Sequence, residues 1–341
     1  MEAWWDAGAA AGHGAVVARR GGRIESLHVV EVWAVDAVGA GRGTTTGARR
    51  LPVFLRSAAK PLQAMAAVEA GVLDPLGLDD RHLAVGCASH TSTDEHVGLV
   101  AEILEAAGLG AGDLRCGVTA PLEARVADDL AARGVPPGPL HHNCSGNHAL
   151  ALAACVVAGW PTTDYLTADH PVQQAMRRAV ARAVVGFADH VGEGPDNCGM
   201  RAYRLPLEAA AGAFGRLASG ALGDAGARVA GAMTAHPRLV YGSQGVDTVL
   251  MESSPGLVAK VGAESVFVAG RPDGAGLAAK VVDGARRALD PAAVAAAAAG
   301  LGVTAIGPEA ERLSRPPIVD ARGGVIGHLE AEIRLAASRS A

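Results

Sequence analysis

Arg56-Ser57-Ala58-Ala59-Lys60-Pro61-Leu62-Gln63-Ala64-Met65 is the stretch on which the reading of this chain turns. Its pattern predicts a helix over 57–71, and a serine and a lysine three apart on a helix share one face. A lysine held against a hydroxyl and partly desolvated can lose its charge and act as the base that serine lacks. Pro61 would break a helix interior. With Ser57 as N-cap, however, it falls at the fourth helical position, where a missing N–H costs only the first intrahelical bond. That places Ser57 at a helix start, near the positive end of the dipole, where a developing anion is stabilised. In an arbitrary helix such a serine is only a cap, so the rest of the chain has to decide.

Outward from this helix the chain reads as α+β. Residues 14–36 alternate around Arg20-Gly21-Gly22-Arg23 and predict a β-hairpin. Pro317 to Asp320 and Val325 to His328 flank Gly323-Gly324 as a second hairpin, and 256–262 with 265–268 form a third β pair. Helical patterns cover roughly 57–71, 93–107, 122–133, 146–158, 168–185, 206–219, 223–234, 273–288 and 291–299. Strands at both ends with helices between them predict one antiparallel sheet formed by the N- and C-terminal strands. Gly39 to Gly47 reads as an exposed glycine/threonine loop.

At 341 residues the chain has ample core; half of it is apolar, much of that alanine, and aromatics make up 3%. A net charge of -5 and a pI near 6.2 argue against a nucleic-acid surface or a polybasic membrane patch. The start, Met1-Glu2-Ala3-Trp4-Trp5-Asp6, lacks the features of a signal peptide, and the uncharged Pro291–Pro308 stretch is too weakly apolar for a membrane span. Cys87, Cys116, Cys144, Cys155 and Cys198 are an odd, scattered set that reads as free thiols or ligands. Trp4, Trp5, Trp33 and Trp160 read as packing or terminal anchors, and Cys116 and Cys155 as buried small hydrophobes. The expectation is a soluble cytoplasmic protein.

Two further motifs follow in chain order. Ser145-Gly146-Asn147 lies in the polar run His141 to His148, and Lys260-Val261-Gly262 lies on a predicted strand. Ser-x-x-Lys, Ser-x-Asn and Lys-x-Gly in that order form the layout of penicillin-recognising serine hydrolases. Gly262 would let a substrate backbone approach the strand edge. Gly86-Cys87-Ala88-Ser89-His90-Thr91-Ser92-Thr93 is hydroxyl-rich and leads into the helix over 93–107, with Thr93 or Ser92 as its cap. Neither Cys144 nor Cys198 has a Cys-x-x-Cys partner, so spacing gives little support for a metal.

At this point the chain resembles the asparaginase II family, the Rhizobium-type L-asparaginases. Arg56 to Ala64 is similar to that family's Arg-Ser-Ala-x-Lys-Pro-x-Gln block. So are Cys87-Ala88-Ser89-His90 with Glu95-His96-Val97, and His142 to Gly146 with His148-Ala149. Asp169 to Gln173, Asp247-Thr248 with Leu250-Met251, and Ala259 to Glu264 also match, and the resemblance runs from about Gly21 to the C-terminus.

The resemblance implies a single catalytic domain over 1–341, related in fold to serine β-lactamases and glutaminases, usually dimeric, that hydrolyses L-asparagine. It implies two serine–lysine tandems, Ser57 with Lys60 and Ser89 with Lys260. It offers Arg56, His90, Asn143, Ser145, Gly146, Asn147 and Asp196 as substrate-binding residues. It also implies a zinc ion near the substrate, held by Cys144 and Cys198 and by a lysine. Here Asn147 stands at that lysine's position, and Gly199-Met200-Arg201 follows Cys198 where the family has Ser-Ala-Pro.

Three functions are therefore compared. The first is an asparagine amidohydrolase in which Ser57 attacks the side-chain amide, Lys60 acts as base, and Ser89 and Lys260 relay protons. The two lysines are then mutually useful, since one stays charged while the other gives up its proton. The second is a β-lactamase or D-Ala-peptidase, which explains Asn147 but lacks an export signal. The third is an altered paralogue that binds a small amino-acid ligand, motivated by the departures at Asn147 and after Cys198. Glu25 and His28 resemble a family block and are weak candidates for the site lining.

Overall fold

A computed structural model describes residues 12–45, 48 and 51–337. Trp4 and Trp5, and residues 46 and 47 of the expected glycine/threonine loop, lie outside the described residues. The terminal strands do share one sheet. β1 (Gly14–Arg20) and β2 (Arg23–Val35) form the first hairpin, turning through Gly21 and Gly22, both at positive φ. β3 (Gly41–Thr44) adds to β2, and β4 (Pro52–Phe54) starts a small second sheet with β5 (Gly192–Pro195) and β6 (Arg201–Pro206). β7 (Val258–Gly262), β8 (Val266–Gly270) and β9 (Gly276–Val281) follow, then β10 (Pro317–Val319) and β11 (Val325–Glu332). The large sheet runs β10-β11-β1-β2-β9-β8-β7 with every pairing antiparallel, and Ala15 faces Glu332 where the two ends of the chain meet. This is the expected α+β class.

Two expectations fail here. Residues 273–288 are not a helix: they hold β9 and a short 3-10 turn, Arg286–Ala288. β9 is central, between β2 and β8, and almost wholly buried. An alanine-rich strand covered on both faces shows no period of two, so it reads as helix. Likewise Gly41–Thr44 is a strand rather than open loop. Its neighbour Thr45 is buried, accepting from the Val32 N–H and donating to the Glu31 carboxylate at 2.5 Å. The short helices Asp80–Gly86, Val246–Ser253 and Pro308–Ser314 have no counterpart in the sequence reading.

The core explains the composition. The helix Leu207–Ala218 lies across β8 and β9 so closely that a Cβ on Gly270 would stand 1.9 Å from the Phe214 carbonyl oxygen. A Cβ on Gly276 would stand 2.0 Å from that of Ala211. Backbone meets backbone there, and only small residues permit it. The helix Ser145–Ala158 is buried along most of its length, and a Cβ on Gly146 would meet the Val85 carbonyl oxygen at 2.2 Å. Gly146, a candidate substrate residue by resemblance, is thus occupied in helix packing. Trp33, Cys116 and Cys155 are buried as expected.

Candidate active site

The residues before Lys60 do not form the expected capped helix start. Arg56–Ala59 is a 3-10 turn, and the α-helix runs Lys60–Glu69 with Ala59 as its cap. The chain turns one residue early because Arg56 adopts φ +51°, a left-handed conformation unusual for a residue with a side chain. Pro61 sits in the first turn, as its chemistry requires. Ser57 is half-buried, its carbonyl accepting the Lys60 N–H. Strand β7 packs under this turn: a Cβ on Gly262 would lie 2.2 Å from the Leu55 carbonyl oxygen and 3.2 Å from the Ala58 nitrogen. Gly262 is therefore small because the protein's own turn packs against its face of the strand.

Lys60 is buried and its ammonium is a junction. It donates to the Ala88 carbonyl at 2.6 Å, to Ser89 Oγ at 3.3 Å and to Cys144 Sγ at 3.2 Å. Ser89 is brought there because its segment runs extended between two others. The Ser89 N–H donates to Val240 O, the His90 N–H to Asn143 O, and the Thr91 N–H to Tyr241 O. Cys144 and Cys198 are both buried and hydrogen-bonded to each other. The Cys198 thiol donates, holding Cys144 well below the usual thiol range with help from Lys60, while Cys198 itself is pushed up.

Lys260 is also buried, and its hydrogen-bond partners are Asp247 and Val261 rather than the serine that the tandem implied. Its ammonium meets Asp247 Oδ2 at 3.2 Å and the Val261 carbonyl at 3.3 Å. Tyr241's ring centroid lies 5.9 Å away. Asp247 and Tyr241 had no assigned role in the sequence reading.

Arg56 pairs with Asp196 at 2.7 Å, and both side chains are mostly buried. Asp196 Oδ1 also accepts the Asn197 N–H at 2.6 Å, and Arg56 Nε is buried without a partner. His148 lies close enough to feel Cys144, Lys60 and Asp196, and burial pushes its pKa down to about 3. Tyr165 OH accepts the Arg115 N–H and meets His148 Nδ1 at 2.7 Å, so the phenol donates to Nδ1 and the ring proton sits on Nε2. That Nε2 is buried and unpartnered.

Other candidates are engaged in structure. His90 Nδ1 accepts the Ser92 N–H, so Nε2 donates to Ser145 Oγ at 2.8 Å, and Ser145 in turn donates to Leu140 O. Burial keeps His90 neutral, far below its usual value. Asn143 supplies its carbonyl to His90. Thr93 does cap the helix Asp94–Ala106, as expected. Glu25 pairs with Arg20 on the surface, and His28 is clasped by Asp283 and Arg287.

The implied zinc is tested by its donors. Two thiols are adjacent, but Cys144 is already the acceptor of both Lys60 and Cys198. At the third position Asn147 directs Nδ2 toward Gly86 O at 3.5 Å and leaves a neutral amide oxygen unpartnered. Among the described residues no group of three or more His, Cys, Asp or Glu side chains could hold a metal ion. Zinc sites take at least three protein ligands drawn from thiolate, imidazole and carboxylate. The residues present do not fit zinc.

The geometry brings the buried Lys60 ammonium against Ser89 Oγ, with Ser57 three residues upstream in the same segment. The chain belongs to the L-asparaginase II family, whose model matches residues 16–331. That membership supports an amidohydrolase activity. No curated protein matches the chain. Two solved structures resemble it distantly: "Mglu in its L-glutamate binding form" in 4.3 M NaCl, at 13% identity and TM-score 0.37, and Mglu again at 12% and 0.35. The matches cover 82% and 81% of this chain, and 60% and 68% of those chains. Among the described residues no helix is long and apolar enough to cross a membrane.

Proposed function

We propose that this protein hydrolyses the side-chain amide of L-asparagine to aspartate and ammonia through an aspartyl-serine ester. The observation that carries the reading is the Lys60 ammonium, buried against Ser89 Oγ with Ser57 one turn upstream in the same segment. In this reaction Lys60 acts as the neutral amine: it takes the Ser57 hydroxyl proton as Ser57 Oγ attacks the amide carbon, and becomes the ammonium. The Ser89 hydroxyl, already on Lys60, carries a proton to the departing nitrogen, which leaves as ammonia. Water then cleaves the ester by the same route in reverse. Arg56 with Asp196 supplies one cation and one anion side by side, a match for the carboxylate and ammonium of a free amino acid. The unpartnered Arg56 Nε fits a donor waiting for substrate, since buried donors are rarely left orphaned.

The test is ammonia release from L-asparagine and L-glutamine, with nitrocefin alongside. Ser57→Ala should lower the asparagine rate by about 10³-fold or more. Full activity in that variant, or turnover of nitrocefin in place of asparagine, overturns the proposal. Binding of asparagine seen as a thermal shift without ammonia would instead identify a non-catalytic binder.

A further inference from the structure

We propose that Asp247 is the positioning residue of the second lysine: its carboxylate anchors the Lys260 ammonium and holds it as a standing cation. Lys260 then acts on the reaction through its charge, while Lys60 is the lysine that meets a hydroxyl. This rests on the serine–lysine reading above.

The pair is the most deeply buried ion pair described, with both side chains at 0% exposure. The carboxylate is itself fixed. Oδ2 takes the Lys260 ammonium at 3.2 Å and the Val261 N–H at 3.3 Å, and Oδ1 takes the Thr248 N–H at 3.1 Å. A carboxylate so clamped cannot follow the lysine if it moves, so the lysine stays with it. Val261 O takes a further bond from the ammonium, and the Tyr241 ring flanks it.

The surroundings explain why an anchor is needed. Cys87, Lys60 and Cys144 act on Lys260 alongside Asp247 and Tyr241, and the Arg286–Asp290 pair acts on Tyr241 and Asp247 from behind. Burial pushes the lysine's pKa below its usual value and Lys60 adds to that, while Asp247 and Cys144 oppose it. Without the carboxylate, a buried ammonium beside a second lysine sheds its proton rather than stay unpaired.

The chain is favourable for a direct test, because Lys60, Lys260 and Lys280 are its only lysines. In full-length protein carrying isotope-labelled lysine, NMR at neutral pH should show an exchange-protected Lys260 ammonium, assigned by its loss in Lys260→Met. Asp247→Asn should convert that signal to the neutral amine, and Asp247→Glu should keep it charged. An unchanged ammonium in Asp247→Asn overturns the proposal, whether or not the protein turns over asparagine. In kinetics, Asp247→Asn should lower kcat by about 100-fold and leave KM within about threefold. The double variant Asp247→Asn/Lys260→Met should be no slower than Lys260→Met alone, because both act through one group. It also removes both buried charges, so it reports even if Asp247→Asn alone fails to fold. Multiplying losses in the double variant would mean a merely structural aspartate and overturn the proposal. A wild type that releases no ammonia defeats the functional reading only; the NMR result still decides Asp247.

Discussion

Lys60 Nζ and Ser89 Oγ are 3.3 Å apart although 29 residues separate them, whereas Lys60 bonds to Ser57 only through the backbone. The two serines should therefore fail differently. Ser57→Ala removes the attacking atom, and single-turnover experiments should show no covalent aspartyl-enzyme. Ser89→Ala removes the group that touches Lys60. It should still acylate, with kcat down by about 10²- to 10³-fold, as for loss of a proton-transfer partner. Trapping of the acyl-enzyme by mass spectrometry separates the cases. A covalent adduct on residue 89 would reverse the roles.

Arg56 and Asp196 form a mostly buried pair at 2.7 Å on the left-handed residue that launches the Ser57 turn. Replacing Asp196 by Asn leaves the guanidinium without its counter-charge, and the fold should lose about 2–3 kcal/mol. KM for asparagine should rise more than kcat falls, since the pair is offered to the substrate's charged ends. Denaturant titration and initial rates together check this.

At Gly262 a methyl group would stand 2.2 Å from the Leu55 carbonyl. Gly262→Ala must push the 55–58 turn outward and should cost about 1–3 kcal/mol, as overpacking does. Activity should drop far beyond that loss, because the displaced turn carries Ser57. Retained activity with lowered stability would show that the turn absorbs the shift elsewhere.

Stability should fall on acidification through three buried histidines. His148 is depressed to about 3, and His90 and His96 are also lowered, each mainly by burial. Above about pH 6.5 both folded and unfolded forms are neutral and the histidines add no pH dependence. Below it the unfolded chain takes protons that the folded chain refuses, so stability drops as pH falls, by about 1.4 kcal/mol per pH unit for each such histidine. Thermal melts between neutral pH and pH 5 should show the decline, and His148→Gln should make it shallower by one histidine's share.

Zinc chelators should leave ammonia release unchanged, because Cys144 Sγ accepts hydrogen bonds from Lys60 and the Cys198 thiol, with Asn147 as the third neighbour. Activity that disappears with a chelator and returns with zinc would refute the donor argument.

Much was legible before any fold was known. The hairpins at both ends announce themselves through glycine turns and alternation, and Ser57 and Lys60 through a motif held in order with its neighbours. One signal went unused: of 30 lysine and arginine residues only Lys60, Lys260 and Lys280 are lysines, and two of them are buried in the site. In a chain that otherwise uses arginine for its cations, a lysine is the residue whose proton burial can most readily loosen.

The sequence by itself determined the class of fold, the family and the candidate serines and lysines, because these rest on local periodicity, turn chemistry and motif order. Only the tertiary structure decided who touches whom. It turned β9 from an apparent helix into a central strand, since burial on both faces erases the period that sequence reasoning reads. It gave Lys60 to Ser89 and Lys260 to Asp247, partners 29 and 13 residues away, and it spent Gly262, Gly146 and His90 on packing and hydrogen bonds. Such contacts are set by how helices and sheet close on one another, and no spacing along the chain encodes that distance.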